Sequence, residues 1–308
     1  MKMRLAMISI RLPLLIALSC ISTAAPAADV IEPTGEVERV ATGFQFTEGP
    51  AWDGSTLFFT DIPATTINRL SPDGTVSPLT VDSKHTNGII FAKGRMLACQ
   101  MDGQVVEYDA ANGKATILAS EFEGKRFNAP NDLTIDAEGG IYFTDPLFRA
   151  PKPLPQGGQH VYYIPSPVNG ESSDVLRVTK NLAAPNGIGL SPDGKQLYVC
   201  PSKQSEMLVY DVLAPGKLSE PKVFCDLKQP SGKSETGADG ITLDVKGNVY
   251  ITTHLGVQIY TPAGQFAGLV TFDEQPANVC FGGADWKTMY VTARTSLYRV
   301  TMPIAGHH

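Results

Sequence analysis

From about residue 40 onward the chain is built of short apolar runs separated by turn residues. Segments such as DLTID and GITLD are followed by stronger runs such as IYFTD and LYVC, then by a third set, INRLS, VVEYD, MLVYD and VQIYT. Alternation of apolar and polar positions over four to six residues predicts strands buried on one or both faces. The DG, NG and GG pairs fall where consecutive strands must reverse, so neighbouring strands are predicted to be antiparallel hairpins. No stretch sustains a helical period.

This grammar repeats. Units begin at Thr47, Thr86, Ala129, Ala184, Ala238 and Pro276, and each opens on a polar residue: Glu48, Asn87, Asn131, Asn186, Asp239 and Asn278. The openers are spaced 39 to 55 residues apart, which suits a four-stranded blade with loop insertions. The predicted fold is therefore all-β, a six-bladed β-propeller of four-stranded antiparallel blades. A ring of blades must close without an open edge. The last unit lacks an outer strand, and the lone strand EVERVAT, Glu36 to Thr42, is predicted to supply it.

The inner strand of each blade lines the central channel, so the openers are predicted to crowd one mouth of it. Asn and Asp also serve as turn residues, but a turn does not require the carboxylates of Glu48 and Asp239. Two carboxylates facing each other across a narrow channel repel unless protonated or bridged by a cation. Glu48, Asn131, Asn186 and Asp239 form an all-oxygen set suited to one hard divalent cation, Ca²⁺ first, with Mn²⁺ or Mg²⁺ as substitutes. Zn²⁺ is a weaker candidate, since it prefers His and Cys.

These motifs carry a family resemblance. EGPAW at Glu48, APNDLTIDAEGGIYFTDP from Ala129, APNGIGLSPDGKQLYV from Ala184 and ADGITLDVKGNVYIT from Ala238 resemble the gluconolactonase/regucalcin/luciferin-regenerating enzyme family, most closely its bacterial gluconolactonases. The resemblance covers nearly all of the chain after its first segment. It implies a six-bladed propeller with a divalent cation held by the same four residues, and hydrolysis of a sugar lactone. The animal members carry a substrate-binding Arg where this chain has Phe127 to Pro130, so the identity of the lactone stays open. Alternatives on the same mouth are phosphotriester hydrolysis and a non-catalytic calcium-binding propeller.

A cation there would polarise a lactone carbonyl while a carboxylate activates water. Asp239 is the first candidate for that base and Asp132 the second. Loops after the second strand of each blade return to the mouth. Asp145 and His254 lie in such loops and, with Asn87 and Asn131, are candidates for contact with a small-molecule substrate. The long loop Leu147 to Gln159 and the loop Lys228 to Gly237 are candidate lids. No GxSxG, HExxH, phosphate-loop, dinucleotide or EF-hand pattern occurs.

Composition adds compartment and partners. The start is basic at Lys2, Arg4 and Arg11, then apolar, then small-residued, which is the order of a secretory signal. Residues 1–28 are expected to be removed and 29–308 to form one domain, periplasmic or secreted. Cleavage removes three cations, moving the formal charge from −6 to −9. An acidic chain without basic runs is a poor partner for nucleic acid. No later run is long enough for a membrane span. Cys99, Cys200, Cys225 and Cys280 show no CxxC pair. Cys200 and Cys225 are near enough to pair, though buried free thiols are the favoured reading. Oligomeric state is not readable.

Overall fold

A computed structural model of the protein describes residues 28–167, 174–233 and 235–308. The predicted signal segment lies outside the described residues, apart from Ala28. Among these residues there is no α-helix, and no helix long and apolar enough to cross a membrane.

Six antiparallel sheets carry the fold. Blade 1 comprises Thr47–Trp52, Leu57–Asp61, Thr66–Leu70 and Val76–Thr80. Blade 2 comprises Thr86–Ala92, Arg95–Gln100, Gln104–Tyr108 and Ala115–Ala119. Blade 3 runs from Leu133–Ile135 and Ile141–Asp145 to His160–Ile164 and Leu176–Arg177. In blade 4, Pro185–Leu190, Gln196–Pro201 and Glu206–Ala214 are followed by Lys222–Asp226, with Lys217–Leu218 pairing the far end of the third strand. Blade 5 is Ile241–Leu243, Val249–Thr253, Gly256–Tyr260 and Phe266–Val270. Blade 6 has Pro276–Gly282, Thr288–Ala293 and Ser296–Thr301.

The fourth strand of blade 6 comes from the other end of the chain. Glu38–Thr42 pairs antiparallel with Ser296–Thr301, matching Thr42 to Ser296 and Glu38 to Arg299. This is the predicted closure, and it leaves no blade with an unpaired long edge facing its neighbour. Ile31 reinforces it by entering the core between blades 5 and 6 and donating its N–H to Ala267 O at 2.7 Å.

The apolar alternation is explained by where the cores sit. Each of six hydrophobic clusters spans two adjacent blades. Ile67 and Phe58 of blade 1 meet Met96 and Val106 of blade 2. Leu57 and Phe59 on the other face of blade 1 meet Tyr290 and Leu297 of blade 6. The same arrangement holds around the ring. Successive strand residues point to opposite faces, so both faces of each blade are buried and the second strands are buried along nearly all their length. Trp52 stacks on Tyr290 at 5.8 Å across the blade 1–6 seam, whereas Trp286 stacks on His308 at 4.0 Å at the far face. The four cysteines among the described residues, Cys99, Cys200, Cys225 and Cys280, are free.

Candidate metal centre at the channel mouth

Repeated hydrogen bonds define a row at the top of the inner strands. Thr60 Oγ1 donates to Asn87 O at 3.1 Å, Thr144 Oγ1 to Asn186 O at 2.8 Å, and Thr252 Oγ1 to Ala277 O at 2.7 Å. In the same register, Gly88 N donates to Asn131 O, Gly187 N to Asp239 O and Gly240 N to Ala277 O. These bonds tie each blade to the next and bring Glu48, Asn87, Asn131, Asn186 and Asp239 into one row. They also correct the sixth position: Ala277, not Asn278, occupies the opener register. Asn278 lies one residue further down the bore, where the other blades carry Gly49, Gly88, Asp132, Gly187 and Gly240. Register shifts just after the openers, between Glu48 and Ala51, Thr86 and Ile89, and Pro185 and Ile188, mark β-bulges, which re-aim side chains.

The side chains in the row differ in how they are held. Glu48 is 2% exposed and its Oε2 accepts Gly49 N–H at 2.9 Å. Burial, then the nearby charge of Asp239, push its pKa well above the usual carboxylate range. Burial raises Asp239 to about 7, while the adjacent Asn186 amide and Arg294 favour its charged form. Asn186 Nδ2 also donates to Ser202 Oγ at 3.1 Å, which leaves Oδ1 as its acceptor for a ligand. Ser202 in turn donates to Ala238 O at 2.7 Å. Asn131, 4% exposed, has no side-chain hydrogen-bond partner among the described residues. Asn87 Nδ2 reaches only Met101 Sδ, at 3.9 Å.

Two carboxylates, Glu48 buried and Asp239 half-buried, stand beside the amides of Asn131 and Asn186 in an oxygen-rich, acidic array. Among the described residues no three His, Cys, Asp or Glu side chains gather as a metal cluster. The array instead mixes two carboxylates with amide oxygens, the donor chemistry of a hard cation. The residues fit a calcium-type ion.

Asp132, 6% exposed, stands in the second row. Burial raises its pKa to about 7. Its Oδ1 accepts Leu133 N–H at 2.9 Å and its Oδ2 faces Asn278 Nδ2 at 3.4 Å. Asp145 is fully buried, and its two oxygens accept Asn128 N–H and Ala129 N–H, both at 2.8 Å. It thus fixes the loop that leads into Asn131 rather than opening onto the bore. Asp61 holds Gln45 and Phe46 in the same way, ahead of Glu48. His254 is half-buried, and its ring sits under Gly237, where a Cβ would stand 2.7 Å away. It supports the loop entering Asp239.

The long loop after blade 3's second strand is tied down. Gln156 Nε2 donates to Lys125 O and Arg126 O, and Asn128 Nδ2 to Gly158 O. Phe148 and Ala150 pack on Ile62, Met101 and Ala129, forming an apolar wall beside the mouth. Phe127 is buried against Phe143 and Tyr162. Two residues that sequence reading overlooked lie in second-strand loops: Ser202 in blade 4 and Arg294 in blade 6.

Comparison with known proteins agrees with this architecture. The family model described as "SMP-30/Gluconolactonase/LRE-like region" matches residues 46–295. A gluconolactonase of Zymomonas mobilis is 26% identical, covering 90% of this chain and 84% of the relative. A pentonolactonase of Haloferax volcanii is 25% identical over 82% of this chain and 83% of its own length. Among solved structures, a gluconolactonase of Xanthomonas campestris superposes with a TM-score of 0.78 at 26% identity, covering 92% of this chain and 99% of that one.

Proposed function

Because the chain belongs to the SMP-30/gluconolactonase/LRE-like family, we propose that it is a metal-dependent lactonase acting on a small sugar lactone. The observation that carries this reading is the oxygen array of Glu48, Asn131, Asn186 and Asp239 in one row at the mouth of the bore. The named activities of the Zymomonas and Haloferax relatives support the substrate class.

A divalent cation held by these four residues would supply Lewis acidity at the lactone carbonyl. Glu48 and Asp239 balance its charge, and Asn131 and Asn186 contribute neutral oxygens. Asp239 is half-buried where Glu48 is buried, which makes it the better placed of the two carboxylates to meet water. It accepts the proton as water attacks the carbonyl, and returns it to the ring oxygen as the ester bond breaks. Asp132 is less suited, since both of its oxygens are engaged. Asn87 lines the mouth as a substrate contact, whereas Asp145 and His254 act through the loops they hold. The basic, apolar and small-residue order of the first segment supports export.

The test is hydrolysis of gluconolactone by the purified protein, with EDTA and with calcium restored. EDTA is expected to abolish turnover and calcium to return it. Glu48→Ala and Asp239→Asn should each lower kcat/KM by on the order of a hundred- to ten-thousandfold. Turnover that survives both EDTA and the two substitutions sinks the reading.

A further inference from the structure

The second row of the bore contains an asymmetry that the mouth chemistry does not use. Four of its six positions are glycines: Gly49, Gly88, Gly187 and Gly240. The other two are Asp132 in blade 3 and Asn278 in blade 6. In a ring of six, those blades face each other across the bore. The two side chains meet there, with Asn278 Nδ2 donating to Asp132 Oδ2 at 3.4 Å.

Each end of this crossbar is anchored. Asp132 Oδ1 accepts Leu133 N–H at 2.9 Å and Asn278 Oδ1 accepts Val279 N–H at 2.8 Å. Anchoring Oδ1 to the backbone turns the amide nitrogen of Asn278 inward, toward the Asp132 carboxylate. The glycines make the room. A Cβ on Gly88 would run into Asp132 Oδ1, and one on Gly240 would run into Asn278 Oδ1 and stand 2.8 Å from its Cα. Below the crossbar the bore opens into a chamber of about 530 Å³ whose upper lining includes Asp132 and Asn278 and whose walls are mostly apolar. The crossbar is thus the floor of the mouth.

We propose that Asn278 is a positioning residue for the cation: from the opposite blade it fixes Asp132, the residue that follows Asn131 in the chain, so that the array is preorganised before the ion arrives. This rests on the lactonase reading above. Asn278 need not touch the ion. It holds the carboxylate that follows Asn131 in the chain, as outer-shell partners do at other metal sites. A hydrogen bond to a charged group exceeds a neutral one in strength, so its loss is felt as affinity.

The experiment is calcium titration calorimetry on the purified protein, with thermal unfolding recorded in EDTA. Asn278→Ala should weaken calcium binding by on the order of ten- to a hundredfold, and its lost lactonase activity should return when calcium is raised. Gly240→Ala, which displaces the amide without deleting it, should weaken binding in the same direction and keeps the proposal testable if Asn278→Ala folds poorly. In a double-mutant cycle with Asp132→Asn, the combined loss should be smaller than the product of the separate ones. Unchanged calcium affinity in either the Asn278 or the Gly240 variant, with only a lower melting temperature, overturns the proposal and leaves the lactonase reading standing. Wild-type protein that neither binds calcium nor hydrolyses lactone overturns that reading and the crossbar's role together.

Discussion

The upper and lower halves of the bore are made from the same six strands, yet they have opposite chemistry. At the mouth, Glu48, Asn87, Asn131, Asn186 and Asp239 present oxygen donors. One turn of side chains lower, past the crossbar, Ile89, Leu133, Ile188, Ile241 and Val279 line an apolar chamber. The backbone ring is nearly symmetric in both halves, because the same inter-blade hydrogen bonds recur from blade to blade. The proposed function therefore rests on departures from symmetry: carboxylates in blades 1 and 5, and bulk rather than glycine in blades 3 and 6. The apolar half supplies stability, and the polar half spends some of it.

The largest expected effect tests that contrast through pH. Burial raises Glu48, and raises Asp132 and Asp239 to about 7. A carboxylate whose folded pKa is raised contributes stability below the ordinary carboxylate range and loses it as pH climbs through the raised value. Without a divalent cation, stability should fall by on the order of several kcal/mol between about pH 4 and pH 8. Calcium should remove most of that slope by favouring the ionised forms. Asp145 is also raised to about 7 by burial, but its oxygens are committed to Asn128 and Ala129, so its share should persist with calcium. Denaturant unfolding across this range, with EDTA and with calcium, measures both. A flat profile in EDTA would show that the mouth carries no electrostatic cost.

A smaller effect should come from the apolar half. Ile188 is 3% exposed, lines the chamber and packs with Tyr142 and Val199 in the blade 3–4 seam. Ile188→Ala should cost about 2–5 kcal/mol of stability, while calcium affinity stays within about twofold, since it touches no group of the mouth. If calcium affinity fell in parallel with stability, the two halves would not be separable.

Much of this division was legible in the sequence. The openers stand at fixed places in a repeated phrase, and a closed ring turns that spacing into a cluster without further information. The closing strand Glu38–Thr42 was legible because the sixth unit is one strand short. The sixth opener was misplaced by one residue: PAN in blade 6 looks like PN in blades 3 and 4, and the bonds from Gly240 N and Thr252 Oγ1 to Ala277 O fix its register. The crossbar was hidden for a related reason, since Asp132 and Asn278 are 146 residues apart and meet only through the diameter of the ring. The role of Asp145 did leave a trace. FFTD in blade 1 and YFTD in blade 3 repeat the same final Asp, and both hold the loop ahead of an opener. Two copies of one residue in a repeat point to a scaffold part more than to a substrate contact.

Arg294 sharpens the contrast at the rim, with the smallest expected effect. It occupies the turn after the second strand of blade 6, at φ 48°, a position the second-strand loop rule identifies once it is applied to the last blade. Its carbonyl accepts Thr47 N–H at 2.7 Å, beside Glu48. The guanidinium lies 5.2 Å over the Phe46 ring, and its Nη2 donates to Gln275 Oε1 at 2.6 Å. Among the described residues it has no carboxylate partner in an ion pair, so an exposed cation is held in place at the edge of an acidic mouth. Its remaining donors suit the hydroxyls of a sugar lactone. Arg294→Ala should raise KM for gluconolactone about fivefold, roughly 1 kcal/mol, and leave calcium affinity and the KM for a lactone without hydroxyls nearly unchanged. Arg294→Lys should recover only part of the loss, because a single ammonium cannot reproduce the planar fork. Steady-state kinetics on the two lactones decide the matter: equal losses on both would mean that Arg294 shapes the mouth through Thr47 and Phe46 and does not read the sugar.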